Sequence, residues 1–296
     1  MIASRQDETG SVALRGPGLG PELERKRAAL ERILSGLGRT LVAYSGGVDS
    51  SVLLLVAART LGQDALGVIA RSPSLPETEL QAALELAVSN GVTVRVIETR
   101  ELEREEYRRN GSDRCFHCKT ELFERLEALA SLEGWDSIVY GALTDDLAEV
   151  RPGMVAAERH RVRAPLIESG IGKLEVRILA RDMGLKVWNK PQAACLASRI
   201  PHGSEVTPSK LAQVERGEAW LRVSFGVGTV RLRHEGMRAR IEVRGPDIPR
   251  LQADVDSISL KMKDLGFSSV EIDPAGYRRP DPQPGPIEGG SNAESR

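Results

Sequence analysis

The chain has 296 residues, of which 41% are hydrophobic and 28% charged, and its net charge is −1. This length suits one large or two modest domains, and the composition is that of a soluble globular protein. The near-zero charge offers no field that would attract nucleic acid, and no apolar run approaches the ~20 residues that span a bilayer. The N-terminus lacks the apolar core of a signal peptide. We therefore expect a cytoplasmic protein that binds neither membranes nor nucleic acid.

The first part of the chain alternates helices with strands, after a flexible arm predicted for residues 1–20. Helices are predicted at 24–34, 49–61, 76–90 and 118–134, and strands at 39–45, 65–70, 92–98 and 136–142. The strands are near-continuous apolar runs, which is typical of a parallel sheet covered on both faces. We predict an α/β domain over residues 21–204. Ligands of such sheets bind at the carboxyl ends of the strands.

The order of elements changes after about residue 205. Helices are predicted at 207–225 and 247–267, and strands at 228–236, 237–243 and 268–273. The first two of these strands are predicted to pair as a hairpin. The pattern indicates a smaller α+β domain over residues 205–277. Residues 278–296 are rich in Pro, Gly and Ser and are predicted to be disordered.

The segment SGGVDSS, residues 45–51, links the first predicted strand to a helix. Gly46 and Gly47 allow a tight turn and a close approach of the backbone to a ligand. The first N–H groups of the helix, with its positive dipole end, can bind an anion. The hydroxyls of Ser45, Ser50 and Ser51 can add hydrogen bonds. The segment therefore predicts a phosphate site.

Asp49 lies within the same segment and would repel a phosphate unless a divalent cation lay between them. We therefore expect Mg²⁺ at this loop. The Gly-Lys-Ser/Thr of the Walker pattern is absent. The alternative interpretation is an ordinary strand–turn–helix corner in which Ser or Asp only caps the helix.

SGGVDSS resembles the pyrophosphate loop of the ATP pyrophosphatase superfamily. The resemblance implies that ATP is split between its α and β phosphates and that a carbonyl or carboxyl oxygen is adenylylated. A nucleophile then displaces AMP. The superfamily includes NAD, GMP and asparagine synthetases and tRNA thiolation enzymes, so the resemblance predicts a reaction class better than a substrate.

The three cysteines are too few for a disulfide framework. Cys115 and Cys118 form a CxxC directly before a predicted helix, whose start would lower a thiol pKa. Cys195 lies in a loop with Arg199 nearby. Three thiolates are one ligand short of a closed zinc site and suit a [4Fe–4S] cluster with one open iron. A redox pair and inert thiols are the alternatives, and His117 is a possible extra ligand.

The segments RCFHCK and KPQAACLASRIPHG resemble those of the LarE family, the ATP-dependent sulfur transferases of nickel-pincer nucleotide cofactor synthesis. The resemblance runs from about residue 20 to 275 and includes YGALTDD at 140–146 and VRLRHEGMRARIEV at 230–243. It implies adenylylation of a carboxylate of pyridinium-3,5-biscarboxylic acid mononucleotide, followed by installation of sulfur, twice in all. It also implies a homo-oligomer.

Members of that family are of two kinds. In one, a single cysteine of the CLxSR segment gives up its own sulfur. In the other, three cysteines hold a [4Fe–4S] cluster whose open iron carries a transferable sulfide. Cys195 together with Cys115 and Cys118 matches the cluster kind, and a sacrificial Cys195 is the alternative. The donor that reloads the sulfur is not specified.

Several charged residues take roles from the same resemblance. Arg231 and Arg233 alternate on one predicted strand, face the same side and would bind the substrate phosphate. A charged edge strand is the alternative. Glu242, on the paired strand, and Glu218, in the preceding helix, would hold a divalent cation. Arg199 would neutralise developing charge on phosphate or carboxylate.

Other polar residues follow the ends of predicted strands. Asp145 and Asp146 are expected to hold Mg²⁺ or contact ribose, with helix capping as the alternative. Ser72 and Ser74 are expected to frame the adenine. Three charged residues are predicted to form a solvated helix face, with an active-site edge as the alternative: Lys173, Glu175 and Arg177.

The sequence thus predicts a sulfurtransferase that uses ATP, Mg²⁺ and a [4Fe–4S] cluster. Two rival functions stay open. The first is another enzyme of the superfamily, either an ammonia-using amide synthetase or a tRNA thiolase. The second is a non-catalytic nucleotide or iron–sulfur sensor.

Overall fold

The computed structural model describes residues 19–148, 151–191 and 194–277. The predicted tail over 278–296, and all but the last two residues of the predicted arm, lie outside these ranges. The described helices are α1 Pro21–Ser35, α2 Val48–Leu61, α3 Glu77–Ser89, α4 Glu105–Arg108, α5 Arg114–Glu133, α6 Pro152–Arg159, α7 Pro165–Glu168, α8 Lys173–Asp182, α9 Pro208–Phe225, α10 Ile248–Ala253 and α11 Val255–Asp264. The described strands are β1 Thr40–Ala43, β2 Ala65–Arg71, β3 Val94–Glu98, β4 Ser137–Tyr140, β5 Val230–Glu235, β6 Arg238–Val243 and β7 Ser269–Ile272.

The first four strands form one parallel sheet in the order β3-β2-β1-β4, so the predicted α/β class is confirmed. The central strand β1 is buried along its whole length. Helix α2 packs tightly on β2 because Gly67 has no side chain: a Cβ there would lie 2.9 Å from methyl groups of both Leu54 and Val94. This close packing fixes α2, and the turn that precedes it, relative to the sheet.

The strand order reverses at β1. The chain runs from β1 to β2 and β3 on one side and returns with β4 on the other. The connections that leave β1 and β4 therefore diverge, and an open crevice forms between them at the carboxyl ends of the strands. The segment at residues 45–51 begins in this crevice.

Two predicted helices differ from the observed ones. The helix predicted from residue 118 begins at Arg114, so the CxxC lies inside the first turns of α5 rather than before it. The single helix predicted over 247–267 is two helices, because the backbone leaves the helical region at Asp254 with φ −112° and ψ 25°.

The remaining strands form a second sheet in the order β5-β6-β7. The predicted hairpin is confirmed: β5 and β6 are antiparallel, and Gly236 occupies the turn with φ +65°. Strand β5 alternates buried and half-buried residues, so its apolar side chains enter a second hydrophobic core. That core also contains Leu196, Ala197 and Ile200, and the segment around Cys195 therefore packs against the smaller sheet.

Within the described ranges, no helix combines the length and the apolar character that crossing a bilayer requires.

Candidate active site

The turn after β1 is held close to α3, and only glycine fits at its centre. Gly46 has φ +69°, in the left-handed region that glycine favours. A Cβ on Gly46 would lie 2.5 Å from the Cβ of Ala83, which is far inside contact distance. The turn therefore needs Gly46 for both its backbone conformation and its packing.

The start of α2 has no side-chain cap. Gly47 is the N-cap residue, and the hydroxyls of Ser50 and Ser51 donate to the Gly47 carbonyl at 3.3 and 2.6 Å. The Ser50 hydroxyl also lies 3.1 Å from that of Ser45. These hydroxyls stabilise the turn. They do not cap the helix, whereas the alternative interpretation required a side-chain cap. The backbone N–H groups at this helix start keep their ability to bind an anion.

Gly141, just after β4, closes the crevice from the other side. A Cβ on Gly141 would lie 2.8 Å from the backbone nitrogen of Ser50. The end of β4 thus passes directly beside the start of α2. Any larger residue at position 141 would push these two segments apart.

A cavity of about 390 Å³ opens over this crevice. It brings together predicted site residues that are far apart in sequence: Ser45, Gly47, Asp49, Ser50, Ser72, Ser74, Asp145, Asp146, Cys118 and Cys195. Its charged lining contains the basic residues Lys119, Arg151, Lys173, Arg177 and Lys190 and the acidic residues Asp49, Glu79, Asp145 and Asp146. This mixture suits an anionic ligand that is bound together with a cation.

The three cysteines differ in environment. Cys118 and Cys195 are half-buried and line the cavity, whereas Cys115 is exposed and does not line it. Burial raises the pKa of the Cys118 thiol to about 12, and the charge of Glu101 adds to this effect. The lowering predicted from the helix start is therefore not found for Cys118, because burial moves this pKa in the other direction. The reason is that Cys118 packs against the second hydrophobic core.

Metal-ligand groups are not preassembled in the part of the chain that the structure describes. No three or more His, Cys, Asp or Glu side chains are grouped there as they would be around a metal ion. His117, the possible extra ligand, instead has its Nε2 atom 3.1 Å from Oδ2 of Asp113. A ligand role for His117 remains a prediction.

Three relatives match nearly the whole chain. An uncharacterized protein of Synechocystis is 40% identical over 258 residues, which cover 86% of this chain and 96% of that protein. An uncharacterized protein of Methanocaldococcus jannaschii is 28% identical over 240 residues, 81% of this chain and 91% of that protein. The pyridinium-3,5-bisthiocarboxylic acid mononucleotide synthase of Lactiplantibacillus plantarum is 33% identical over 257 residues, 86% of this chain and 93% of the synthase. The chain belongs to the LarE family. No protein-family model matches it.

Arg199 of this LarE-family chain is a buried anchor. Its guanidinium donates to the carbonyls of Ala194 and Cys195 at 2.6 and 2.9 Å and to the carboxylate of Glu218 at 2.8 Å. Arg199 is 2% exposed and Glu218 is 1% exposed. The two side chains thus form a buried ion pair that fixes the Cys195 segment to α9. Neither residue lines the cavity, and the roles predicted for them toward substrate and metal remain predictions.

Glu218 also accepts from Arg222 at 2.8 Å and from the backbone nitrogen of Leu232 at 3.1 Å. Burial raises the pKa of the Glu218 carboxyl, but the hydrogen bond and charge of Arg199 outweigh burial and hold this pKa below its usual range. Glu218 is therefore an anion that joins α9, β5 and the Cys195 segment.

The arginines of β5 lie on one face of the second sheet in this LarE-family chain, as the alternation predicts. Arg233 donates to Glu242 at 2.8 Å and to the carbonyl of Ser198 at 3.1 Å. Arg231 donates to the Val230 carbonyl at 3.0 Å. Burial lowers the pKa of Arg231, and the positive charge of Arg199 adds to this effect. An anion beside Arg231 would relieve that repulsion.

The loop after β4 and helix α8 differ from the sequence expectation. Asp145 accepts from the backbone nitrogen of Lys173 at 2.7 Å and so supports the first turn of α8. Lys173 and Arg177 line the cavity, so their assignment to a solvated face is wrong. They lie one turn apart and face the crevice together because α8 packs against α2. Glu175 turns away and pairs with Lys26 at 2.6 Å.

Sequence reasoning missed the cavity residues Lys119 and Lys190. Lys119 directly follows Cys118, and Lys190 pairs with Glu79 at 2.7 Å and reaches the Gly46 carbonyl at 3.4 Å. Their place in the sequence could have indicated them, because both lysines lie in the segments that carry the LarE resemblance.

Proposed function

We propose that this chain is an ATP-dependent sulfur transferase that converts the carboxylates of pyridinium-3,5-biscarboxylic acid mononucleotide to thiocarboxylates. One observation carries the proposal: the loop at residues 45–51 lines the same cavity of about 390 Å³ as Cys118 and Cys195. A site that activates a carboxylate and a site that supplies sulfur need such proximity. The Lactiplantibacillus plantarum relative, a pyridinium-3,5-bisthiocarboxylic acid mononucleotide synthase, supports the substrate class.

The proposed reaction has two steps. The phosphates of ATP bind at the start of α2, where Lys173, Arg177 and Lys190 offset their charge. A substrate carboxylate oxygen attacks the α-phosphorus, and pyrophosphate leaves. Sulfur then attacks the acyl carbon, and AMP leaves with the electron pair of the broken C–O bond. Sulfide and thiolate are already nucleophilic, so the second step needs no general base.

Asp49 is the proposed ligand for Mg²⁺ at the loop. Its carboxylate lines the cavity beside Ser45 and Ser50, and carboxylate oxygens are the ligands that Mg²⁺ prefers. Bound Mg²⁺ would neutralise charge on the phosphates. Two other acidic residues of the cavity, Asp145 and Asp146, accept hydrogen bonds from the backbone nitrogens of Lys173 and Leu143.

The three cysteines are the proposed sulfur site. Cys115 and Cys118 lie one turn apart on α5, and Cys118 shares the cavity with Cys195. Their thiolates suit a [4Fe–4S] cluster, which when bound would supply a transferable sulfide. Because Cys115 is exposed and the ligands are not preassembled, the thiols would have to move together to hold it.

The position of Cys195 in the cavity lining supports a second candidate, in which Cys195 gives up its own sulfur. The Cys195 thiolate would attack the acyl-adenylate, release AMP and form a thioester. Loss of the Cys195 Cα proton, with cleavage of the Cβ–S bond, would leave dehydroalanine and the thiocarboxylate. Only Cys195 is required in this route.

Separate substitutions of Asp49 and Cys195 are expected to affect different steps of the reaction. Asp49→Asn should lower AMP formation by at least tenfold, because the cation that screens the phosphates loses its carboxylate. Cys195→Ala should still release pyrophosphate, because adenylylation precedes the attack of sulfur, but should form no thiocarboxylate. The measurement is pyrophosphate, AMP and product mass after incubation with ATP, substrate and a sulfide source.

The matched control is Asp256→Asn, an exposed carboxylate on α11. This variant should behave as wild type. AMP formation by Asp49→Asn at the wild-type rate would contradict the assignment of the loop. Amide formation from ammonium in the same assay would identify an amide synthetase instead.

Iron content should separate the two sulfur routes. Protein purified without oxygen is expected to contain about four irons and four acid-labile sulfides per chain, and Cys115→Ala should lose them. Cys115 is exposed, so this exchange leaves the fold intact. Iron-free wild type whose Cys195 becomes about 34 Da lighter after turnover, as H₂S is lost, would establish the sacrificial route.

A further inference from the structure

Thr99 carries a buried hydroxyl without a partner. It follows β3, is 7% exposed and lines the cavity, yet its Oγ1 atom has no hydrogen bond to any described residue. Its backbone nitrogen donates to the Arg71 carbonyl at 3.4 Å, so the sheet fixes the position of the residue. A buried hydroxyl that is unpaired in the protein destabilises it. A ligand in the cavity would satisfy this group.

Apolar residues of the cavity lining lie on the elements that neighbour Thr99. Ile69, Ala70 and Leu122 line the cavity together with Thr99. The nearby hydroxyl of Ser72 is already engaged, because it donates to Glu101 and accepts from the backbone nitrogen of Ser74. Such a wall suits a flat aromatic group that is recognised by one hydrogen bond.

The opposite end of the cavity is charged. The phosphate loop follows β1 and Thr99 follows β3, with β2 between them. Two strand spacings separate these ends, about 10 Å. A nucleotide has the same division, with charge at its phosphates and an aromatic base at its far end. The geometry therefore orients a nucleotide with its base at Thr99.

We propose that Thr99 is a specificity-determining residue whose hydroxyl hydrogen-bonds to the base of the bound nucleotide. This inference rests on the proposed use of ATP and names the residue that selects the base. The base satisfies the Thr99 hydroxyl, and the surrounding apolar wall excludes water that would compete for it.

The chain offers a matched control at Thr120. The Oγ1 atom of Thr120 is also buried and without a hydrogen-bond partner among the described residues, but Thr120 does not line the cavity. Thr99→Val and Thr120→Val both replace a hydroxyl by a methyl group of the same shape. Neither change should lower the melting temperature, because each removes an unsatisfied group.

The experiment measures dissociation constants by calorimetry, in magnesium and without the carboxylate substrate. The ligands are ATP, 2′,3′-dideoxyATP and inorganic tripolyphosphate. Thr99→Val is expected to raise the dissociation constants of both nucleotides by the same factor, about three- to tenfold. The dissociation constant of tripolyphosphate should stay unchanged. Thr120→Val should match wild type throughout.

Three results would overturn the inference. ATP binding by Thr99→Val at wild-type strength would show that the hydroxyl contacts nothing on the nucleotide. A loss with ATP but not with dideoxyATP would place the contact on the ribose hydroxyls. An equal loss with tripolyphosphate would place the effect at the phosphate end. If the wild-type protein bound no ATP, the proposed ATP-dependent function itself would be refuted.

Discussion

Replacing Glu218 with alanine is expected to lower the free energy of unfolding by about 3–5 kcal/mol, the usual effect of leaving one buried charge without its partner. Glu218 and Arg199 are almost completely buried, and Glu218 also holds the backbone of Leu232. Without this carboxylate, the Arg199 guanidinium would stay buried and uncompensated. The change should be measured as a shift in the urea midpoint with an unchanged slope.

Arg222→Ala is the control for this variant. It removes the other arginine on the same carboxylate, but its side chain is 33% exposed. Solvent screens this partner, so the loss should stay below about 1 kcal/mol. Equal effects of Glu218→Ala and Arg222→Ala would refute the anchoring role given to the buried pair.

The same carboxylate predicts the direction of a pH effect. Because the folded pKa of Glu218 is held below its unfolded value, the unfolded chain binds the proton more readily. The contribution of Glu218 to stability is therefore complete above the unfolded pKa of about 4.3 and is lost as the pH falls through the folded pKa. The difference in stability between wild type and Glu218→Ala should shrink over that range.

Gly46→Ala is expected to abolish nucleotide-dependent turnover, with a loss of at least a hundredfold. Alanine in the left-handed conformation costs about 1–2 kcal/mol, and its Cβ would also lie 2.5 Å from that of Ala83. The turn must then move away from α3, and this movement displaces the start of α2 from its position in the phosphate site. A misplacement of about 1 Å costs on the order of 100-fold in rate.

Gly62→Ala separates these two effects. Gly62 lies at the other end of α2 with a similar φ of +61°, and an added Cβ would meet no atom within 4 Å. This variant should be destabilised by the backbone conformation alone and should keep its activity. If Gly46→Ala turned over at the rate of Gly62→Ala, the close contact with α3 would be irrelevant to function.

The fold was predictable where it is set by local pattern. The apolar strands and the hairpin are encoded by neighbouring residues, so the parallel sheet and β5–β6 follow from the sequence. The start of α5 was missed because Arg114 and Cys115 carry no apolar periodicity. The break at Asp254 was missed because the residues on both sides favour helix.

The site was predictable only in part, since its geometry comes from contacts between distant elements. The carboxyl-end rule locates the phosphate loop and Asp145 at one crevice. It does not show that Lys173 and Arg177 face that crevice, because this depends on how α8 packs on α2. The pairing of Arg199 with Glu218 likewise joins a loop to a separate helix. The family resemblance had instead assigned Glu218 to a divalent cation and Arg199 to developing negative charge.

The Cys195 segment is held by its backbone. The Leu196 nitrogen donates to the Ser74 carbonyl at 2.8 Å, and Arg199 holds the carbonyls of Ala194 and Cys195. Within the described ranges, the Cys195 sulfur takes part in none of these hydrogen bonds. On the proposed sacrificial route, loss of that sulfur would leave these backbone hydrogen bonds in place. The spent chain would then differ from the fresh one in the chemistry at position 195 and not in the contacts that hold this segment.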